Sequence, residues 1–141
     1  MTKIIAEIGL NHLGNYRSVV EYIRELAIYD IYGITFQVRE PEFYLRSDKK
    51  DLQLSKDEYK HARKEVEISG KLFGVAIADS SMIDFFESIG TDFYKVIRND
   101  ITNKELISKL ISTGKEIIIS TGLSSDKDIE NFIKEFGTKN V

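Results

Sequence analysis

Short runs rich in β-branched and aromatic residues alternate with longer helical patterns five times along the 141 residues of this chain. The first strand is predicted over about residues 3–9, and the helix after it, over about residues 15–28, has apolar residues at helical spacing. Strict alternation of strand and helix, with glycine at helix ends, predicts a parallel sheet. The further strands are predicted at Gly33–Val38, Leu72–Ile77, Asp92–Ile97 and Lys115–Ser120, and the further helices at about residues 55–69, 80–88, 103–112 and 126–136.

Two architectures accommodate five such βα units. A flavodoxin-like doubly wound sheet needs no further strands, whereas a complete eight-stranded (β/α) barrel typically takes about 250 residues. The pattern alone therefore favours the flavodoxin-like sheet. The length predicts a single domain over residues 1–141, and residues 39–54, which contain the only proline, are predicted to form an irregular connection.

Composition excludes several classes of partner. Twenty Lys and Arg against 23 Asp and Glu give a net charge of −3, which is no footprint for nucleic acid or an anionic membrane. The chain has no cysteine, and its first residues resemble neither a signal peptide nor a membrane span. We expect a cytoplasmic protein that binds a small molecule.

Polar residues interrupt the apolar strands close to the strand ends. Glu7 lies within the first strand, and Asn11 and His12 follow that strand directly. A carboxylate inside an apolar strand either has a partner or faces a site. Side-chain alternation places Glu7 on one face with polar groups of other strands, so we expect a site there or structural pairs such as Glu7 with Lys95. The other polar groups of this face are Thr35, Gln37, Lys95 and Ser120.

The first strand and the turn after it resemble the start of the sialic acid synthase family, which reads Ala-Glu-x-Gly-x-Asn-His-x-Gly. The matching residues are Ala6, Glu7, Gly9, Asn11, His12 and Gly14. The resemblance implies a partial TIM-type (β/α) barrel, with this chain supplying the N-terminal units. It also implies the family reaction, in which phosphoenolpyruvate condenses with N-acetylmannosamine or its phosphate to a nonulosonic acid.

The same resemblance implies roles for individual residues. Glu7 matches a glutamate involved in proton handling, and Asp100 falls where the family has a catalytic or structural acid. Lys95 matches a lysine that contacts phosphoenolpyruvate, and Ser120 matches a serine of the phosphate site. Together with Arg98, which stands where the family has a serine, the candidate substrate-binding residues are Asn11, His12, Gln37, Lys95, Arg98 and Ser120.

Three positions depart from the family pattern. Thr35 replaces an anion-binding lysine, and Ala76 lies in the segment where the family has a phosphate-binding hydroxyl. Arg98 can restore the charge lost at Thr35, because guanidinium is a good bidentate ligand of phosphate. The family also uses a divalent metal such as Mn or Mg. Because the resemblance places its ligands on later strands, we expect no metal ligand and no other cofactor in this chain.

Each candidate also has a structural interpretation. Asn11 and His12 can hold the first βα turn in place, Asp100 can cap the fourth helix, and Arg98 can be a solvated loop charge. Two functions therefore stay open at the level of sequence. The chain is either part of a sialic-acid-synthase-type enzyme, inactive alone, or a non-catalytic module that binds a phosphorylated sugar or another anion. In either case we expect a homo-oligomer or a missing C-terminal portion.

Overall fold

The computed structural model describes residues 2–98, 100–139 and 141. Five parallel strands form one sheet in the order β1-β2-β3-β4-β5. This order confirms the barrel arrangement and excludes the flavodoxin-like alternative, in which the first strand lies between the second and the third. The strands are β1 Ile5–Gly9, β2 Gly33–Val38, β3 Leu72–Ile77, β4 Phe93–Val96 and β5 Glu116–Ile119.

Helices connect the strands, and local capping explains where most of them begin. Ser55 and Glu58 form a capping box, as do Ser125 and Asp128, while Asn15 and Asn103 cap two further helices through their side chains. The helices are α1 Tyr16–Ala27, α2 Pro41–Tyr44, α3 Lys56–Ile68, α4 Ile83–Ser88, α5 Lys104–Ser112 and α6 Asp126–Phe136. In the described part of the chain, no helix is long and apolar enough to cross a membrane.

The segment 39–54, predicted to be irregular, contains regular structure. It holds the single-turn helix α2 and a 3₁₀ turn at Lys50–Leu52. Pro41 occupies the first helical position, where its missing N–H costs nothing. One turn is too short to produce a helical spacing of apolar residues, so the pattern could not reveal it. The predicted helix at 80–88 begins instead as a 3₁₀ turn, at Ser80–Met82. This turn, too, is too short for the spacing of apolar residues to distinguish it.

The core lies between the outer face of the sheet and the helices. Alternate residues of β2, β3 and β4 are fully buried there and pack with apolar residues of α1, α3, α4 and α5. The strand residues of this layer include Ile34, Phe36, Val38, Phe73, Val75, Ile77, Tyr94 and Val96. The opposite, inner face carries the polar residues.

Two ion pairs that cross the inner face show that the sheet is curved. Lys3, just before β1, donates to Glu116 of β5 at 2.9 Å, and Lys95 of β4 donates to Glu7 of β1 at 2.5 Å. In a flat sheet, three strand spacings would separate β1 from β4 by about 14 Å, with side chains standing side by side. Contact between these side chains therefore requires a concave inner face, as in the wall of a barrel.

An aromatic ring forms the floor of this concave face. Phe93 is fully buried, and its ring lies directly against Gly33 and Gly74 of the neighbouring strands. An ideal Cβ on Gly33 would lie 2.7 Å from Phe93 Cε1, and one on Gly74 would lie 2.5 Å from Phe93 Cε2. The two glycines therefore provide the space that the ring fills.

Candidate functional site at the carboxyl ends of the strands

Glu7 and Lys95 form the centre of the polar inner face. Their ion pair joins residues 88 positions apart, and the two side chains are 45% and 20% exposed, so both are reachable from solvent. Gln37 lies beside them: an ideal Cβ on Gly9 would be 3.8 Å from both Gln37 Oε1 and Glu7 Oε1. The structure thus brings an acid, a cation and an amide together where the strands end.

Small neighbours let Glu7 and Lys95 meet. Glu7 pairs in register with Thr35, and Lys95 pairs with Ala76, so the ion pair spans β2 and β3. Thr35 and Ala76 are both fully buried. Longer side chains at these two positions would occupy the space through which the ion pair passes. Two of the three residues that depart from the family pattern, Thr35 and Ala76, therefore lie on the strands between Glu7 and Lys95.

The fifth strand delivers Ser120 to the same end of the sheet. Its backbone N–H donates to the carbonyl of Val96 at 2.9 Å, which continues the pairing of β4 and β5 by one residue. The residue is exposed, as are Thr121 and Gly122 after it. Ser120 therefore presents its hydroxyl at the rim of the inner face.

Arg98 and Asp100 belong to a second, four-charge cluster with Arg39 and Glu40. Arg98 Nη2 donates to Glu40 at 3.3 Å and to Asp100 at 3.1 Å. Arg39 binds Glu40 through two nitrogens, at 3.0 and 2.9 Å. The Arg39 guanidinium, helped by Arg98, holds the pKa of Glu40 at about 2, so Glu40 is a carboxylate at neutral pH. Asn103, and not Asp100, is the residue that caps α5.

Asn11 and His12 lie in the turn between β1 and α1. Asn11 is exposed, whereas His12 is 1% exposed. His12 Nδ1 accepts a hydrogen bond from the Gly14 N–H at 3.0 Å, and Nε2 is buried without a partner among the described residues. Burial lowers the pKa of His12, and Glu58 of α3 opposes this only in part. His12 therefore stabilises the turn as a neutral imidazole.

This geometry predicts a pH dependence of stability. Unfolded His12 binds a proton at its ordinary pKa of about 6.5, whereas in the folded protein burial lowers that pKa and Nδ1 is already an acceptor. The contribution of His12 is complete above that pH and is lost as the pH falls below it. We expect His12→Gln to flatten the fall in the free energy of unfolding between pH 7 and pH 5, measured by urea titration. His61→Gln, on exposed α3 surface, keeps His12 and should keep that fall.

The structure thus separates the predicted residues into groups. It brings Glu7, Gln37 and Lys95 together, with Ser120 at the rim. Arg98 and Asp100 lie in the cluster with Glu40, and Asn11 and His12 lie in the first turn. Sequence reasoning missed Arg39 and Glu40, although their position directly after a strand end was an available signal.

A metal ion finds no ready set of ligands here. Within residues 2–98, 100–139 and 141, no three His, Asp or Glu side chains are grouped closely enough to hold one.

A curved parallel βα sheet with a Glu–Lys pair at the carboxyl ends of its strands has the architecture of part of a TIM-type (β/α) barrel. The chain belongs to the NeuB family, whose model matches residues 24–141. It is 30% identical over 139 residues to an uncharacterised protein of Methanocaldococcus jannaschii, covering 94% of this chain and 41% of that protein. It is 26% identical over 141 residues to human N-acetylneuraminate-9-phosphate synthase, covering 86% of this chain and 39% of the human protein.

A solved structure supports both the family and the fold. The N-acetylneuraminic acid synthetase of Leptospira borgpetersenii, in complex with citrate, superposes with a TM-score of 0.87 at 27% identity. The match covers 96% of this chain and 50% of that protein. The chain therefore spans half or less of the length of these relatives.

Proposed function

We propose that this chain carries the N-terminal part of a site for condensing phosphoenolpyruvate with N-acetylmannosamine, or its phosphate, to a nonulosonic acid. The observation that carries the proposal is the Glu7–Lys95 pair on the inner face of a NeuB-family barrel. Lys95 would bind the phosphate or carboxylate of phosphoenolpyruvate, and Glu7 would exchange a proton with the reacting carbons. Gln37 and Ser120 would add hydrogen bonds to the same ligand.

Anion binding is the part of this function that the chain alone should retain. The Leptospira relative is described in complex with citrate, a small organic anion, which supports an anionic ligand for this chain. In titration calorimetry, we expect Lys95→Met to weaken phosphoenolpyruvate binding about tenfold or more, because a charged hydrogen bond to a partly desolvated anion is lost. Lys109→Met removes the same charge from the outer helix α5, where Lys109 contacts Asp84. Equal affinities of the two variants would refute a role of Lys95 in binding.

Turnover by the chain alone is not part of the proposal. The divalent metal that the family uses would need ligands from outside these units. The assay is release of inorganic phosphate from phosphoenolpyruvate in the presence of N-acetylmannosamine and Mn²⁺ or Mg²⁺. We expect no release above background. Metal-dependent release that Glu7→Gln abolishes would contradict this.

A second candidate function is a non-catalytic module for a phosphorylated sugar or another anion. Full burial of Thr35 and Ala76 favours it, because neither side chain reaches the mouth of the site, where the family resemblance implies a lysine and a hydroxyl. The two functions differ in the response to the rest of the barrel. If the chain is completed with the C-terminal half of a NeuB relative and still binds phosphoenolpyruvate without turnover, the binding module is correct.

The edges of the sheet bear on how the chain assembles. Strands β1 and β5 have unpaired outer edges within the described residues, and such edges favour association. We therefore infer a homo-oligomer, or pairing of these edges with further barrel strands, and a location in the cytoplasm, where small phosphorylated substrates are found. Sedimentation as a stable monomer at micromolar concentration would contradict self-association.

A further inference from the structure

The two arginines of the four-charge cluster are held in different ways. Arg39 forms a bidentate pair with Glu40 and stacks over Phe43, with its guanidinium carbon 4.1 Å from the ring centroid. Arg98 contacts Glu40 and Asp100 through the single nitrogen Nη2, at 3.3 and 3.1 Å. Arg98 Nε is buried and has no hydrogen-bond partner in the described part of the chain. Arg39 is therefore fully engaged, whereas the fork of Arg98 is only partly used.

The difference matters because guanidinium binds best through two parallel hydrogen bonds. A phosphate or carboxylate that reaches the exposed side of Arg98 can bind both terminal nitrogens, a bidentate geometry that Glu40 and Asp100, which share Nη2, do not provide here. Glu40 loses little in such an exchange, because Arg39 still neutralises it. Arg98 is also 37% exposed, so an anion can reach it from solvent.

The backbone places Arg98 near the candidate site. Arg98 follows β4, three residues after Lys95, at the end of the sheet where Glu7 and Gln37 also lie. Its φ of +57° is uncommon for a residue other than glycine.

We propose that Arg98 is a cation of the anion site that can change partner. It pairs with Glu40 in the structure, and a bound phosphate or carboxylate displaces Glu40 from it. The proposal rests on the proposed function, since it concerns the same anion. It assigns to Glu40 the role of an internal competitor that lowers affinity and selects ligands able to make two hydrogen bonds.

Substitution of the competitor and of the cation should have opposite effects on affinity. Calorimetric titration with phosphoenolpyruvate should show that Glu40→Gln binds about three- to fivefold more tightly, because a partly exposed carboxylate competitor is removed. Arg98→Gln should bind about tenfold more weakly. In the double variant the gain from Glu40→Gln should vanish. Glu42→Gln is the matched control, because Glu42 is exposed in α2, which begins directly after Glu40, and carries the same charge.

Further titrations distinguish failure of the Arg98 exchange from failure of the proposed function. Titrations with inorganic phosphate and with pyruvate show which group of the ligand Arg98 takes. Unchanged or weaker binding by Glu40→Gln, or a gain that persists in the double variant, overturns the exchange. If Lys95→Met binds like the wild type, the proposed function fails, while a gain in Glu40→Gln that requires Arg98 still supports the exchange. If the wild type binds no anion, Glu40→Gln must acquire Arg98-dependent binding for the exchange to stand.

Discussion

Replacing Gly14 by alanine is expected to lower the free energy of unfolding by about 3–4 kcal/mol, one of the two largest effects we predict for a single substitution. Gly14 has a φ of +73°, and an ideal Cβ would overlap the carbonyl oxygen of Asp51 and lie 2.9 Å from its carbonyl carbon. Backbone atoms cannot rotate away as a flexible side chain can. The segment from α2 to the 3₁₀ turn at Lys50–Leu52 would have to move as a unit, and the hydrogen bond from the Gly14 N–H to His12 would be distorted.

Gly70→Ala provides the matched control for this prediction. Gly70 has nearly the same φ, +72°, but a Cβ there would meet no atom within 4 Å. Only the cost of the left-handed backbone applies, about 1–2 kcal/mol. Urea denaturation of both variants measures the difference. Equal losses would mean that the contact between Gly14 and Asp51 is loose, and that the glycine is required for its backbone conformation alone.

The residues of the motif at the first strand have different roles in the structure. The residues His12 and Gly14 carry much of the resemblance seen in the sequence, yet the structure uses both of them to build the turn after β1. Glu7, from the same motif, lies on the inner face in the ion pair with Lys95. A sequence motif can therefore mix residues that form a turn with a residue of the candidate site, and the contacts of each residue in the structure separate them.

Local patterns predicted the elements of this fold but not their arrangement. Helical spacing and capping residues such as Ser55 placed most strands and helices within one or two residues of their observed ends. Strand order is a long-range property, and the alternation of five units favoured the flavodoxin-like sheet, which the structure excludes. The family resemblance, and not the pattern, indicated the barrel. In the structure the ion pairs that cross the concave face distinguish the two, and no local rule relates Lys3 to Glu116.

The residues of the candidate site likewise include some that local rules predict and some that they do not. Glu7, Gln37, Lys95 and Ser120 could be predicted to share a face, because strand ends and side-chain alternation are local properties. The pairing of Arg98 with Glu40 could not, since it joins residues 58 positions apart in two loops. Both belong to the many charged residues of the chain, and charge alone does not specify a partner.

The second large effect concerns the floor beneath the ion pair. Phe93→Leu should cost about 1–2 kcal/mol of stability through lost packing, and Gly74→Ala should cost about 2–3 kcal/mol because the new methyl group overlaps a buried ring. The two residues touch, so their effects should not add: a smaller residue at 93 leaves room for a methyl group at 74.

A double-mutant cycle measures this coupling. We expect the double variant to be more stable than the sum of the single losses predicts, by about 1 kcal/mol or more. Gly33 faces the same ring, and Gly33→Ala should couple less strongly to Phe93→Leu, because its Cβ would also lie 2.9 Å from the carbonyl oxygen of Leu72. Additive losses at Gly74 would show that the ring already moves aside. The floor beneath Glu7 and Lys95 would then be deformable, and it would not hold the two groups at the spacing that the proposed chemistry needs.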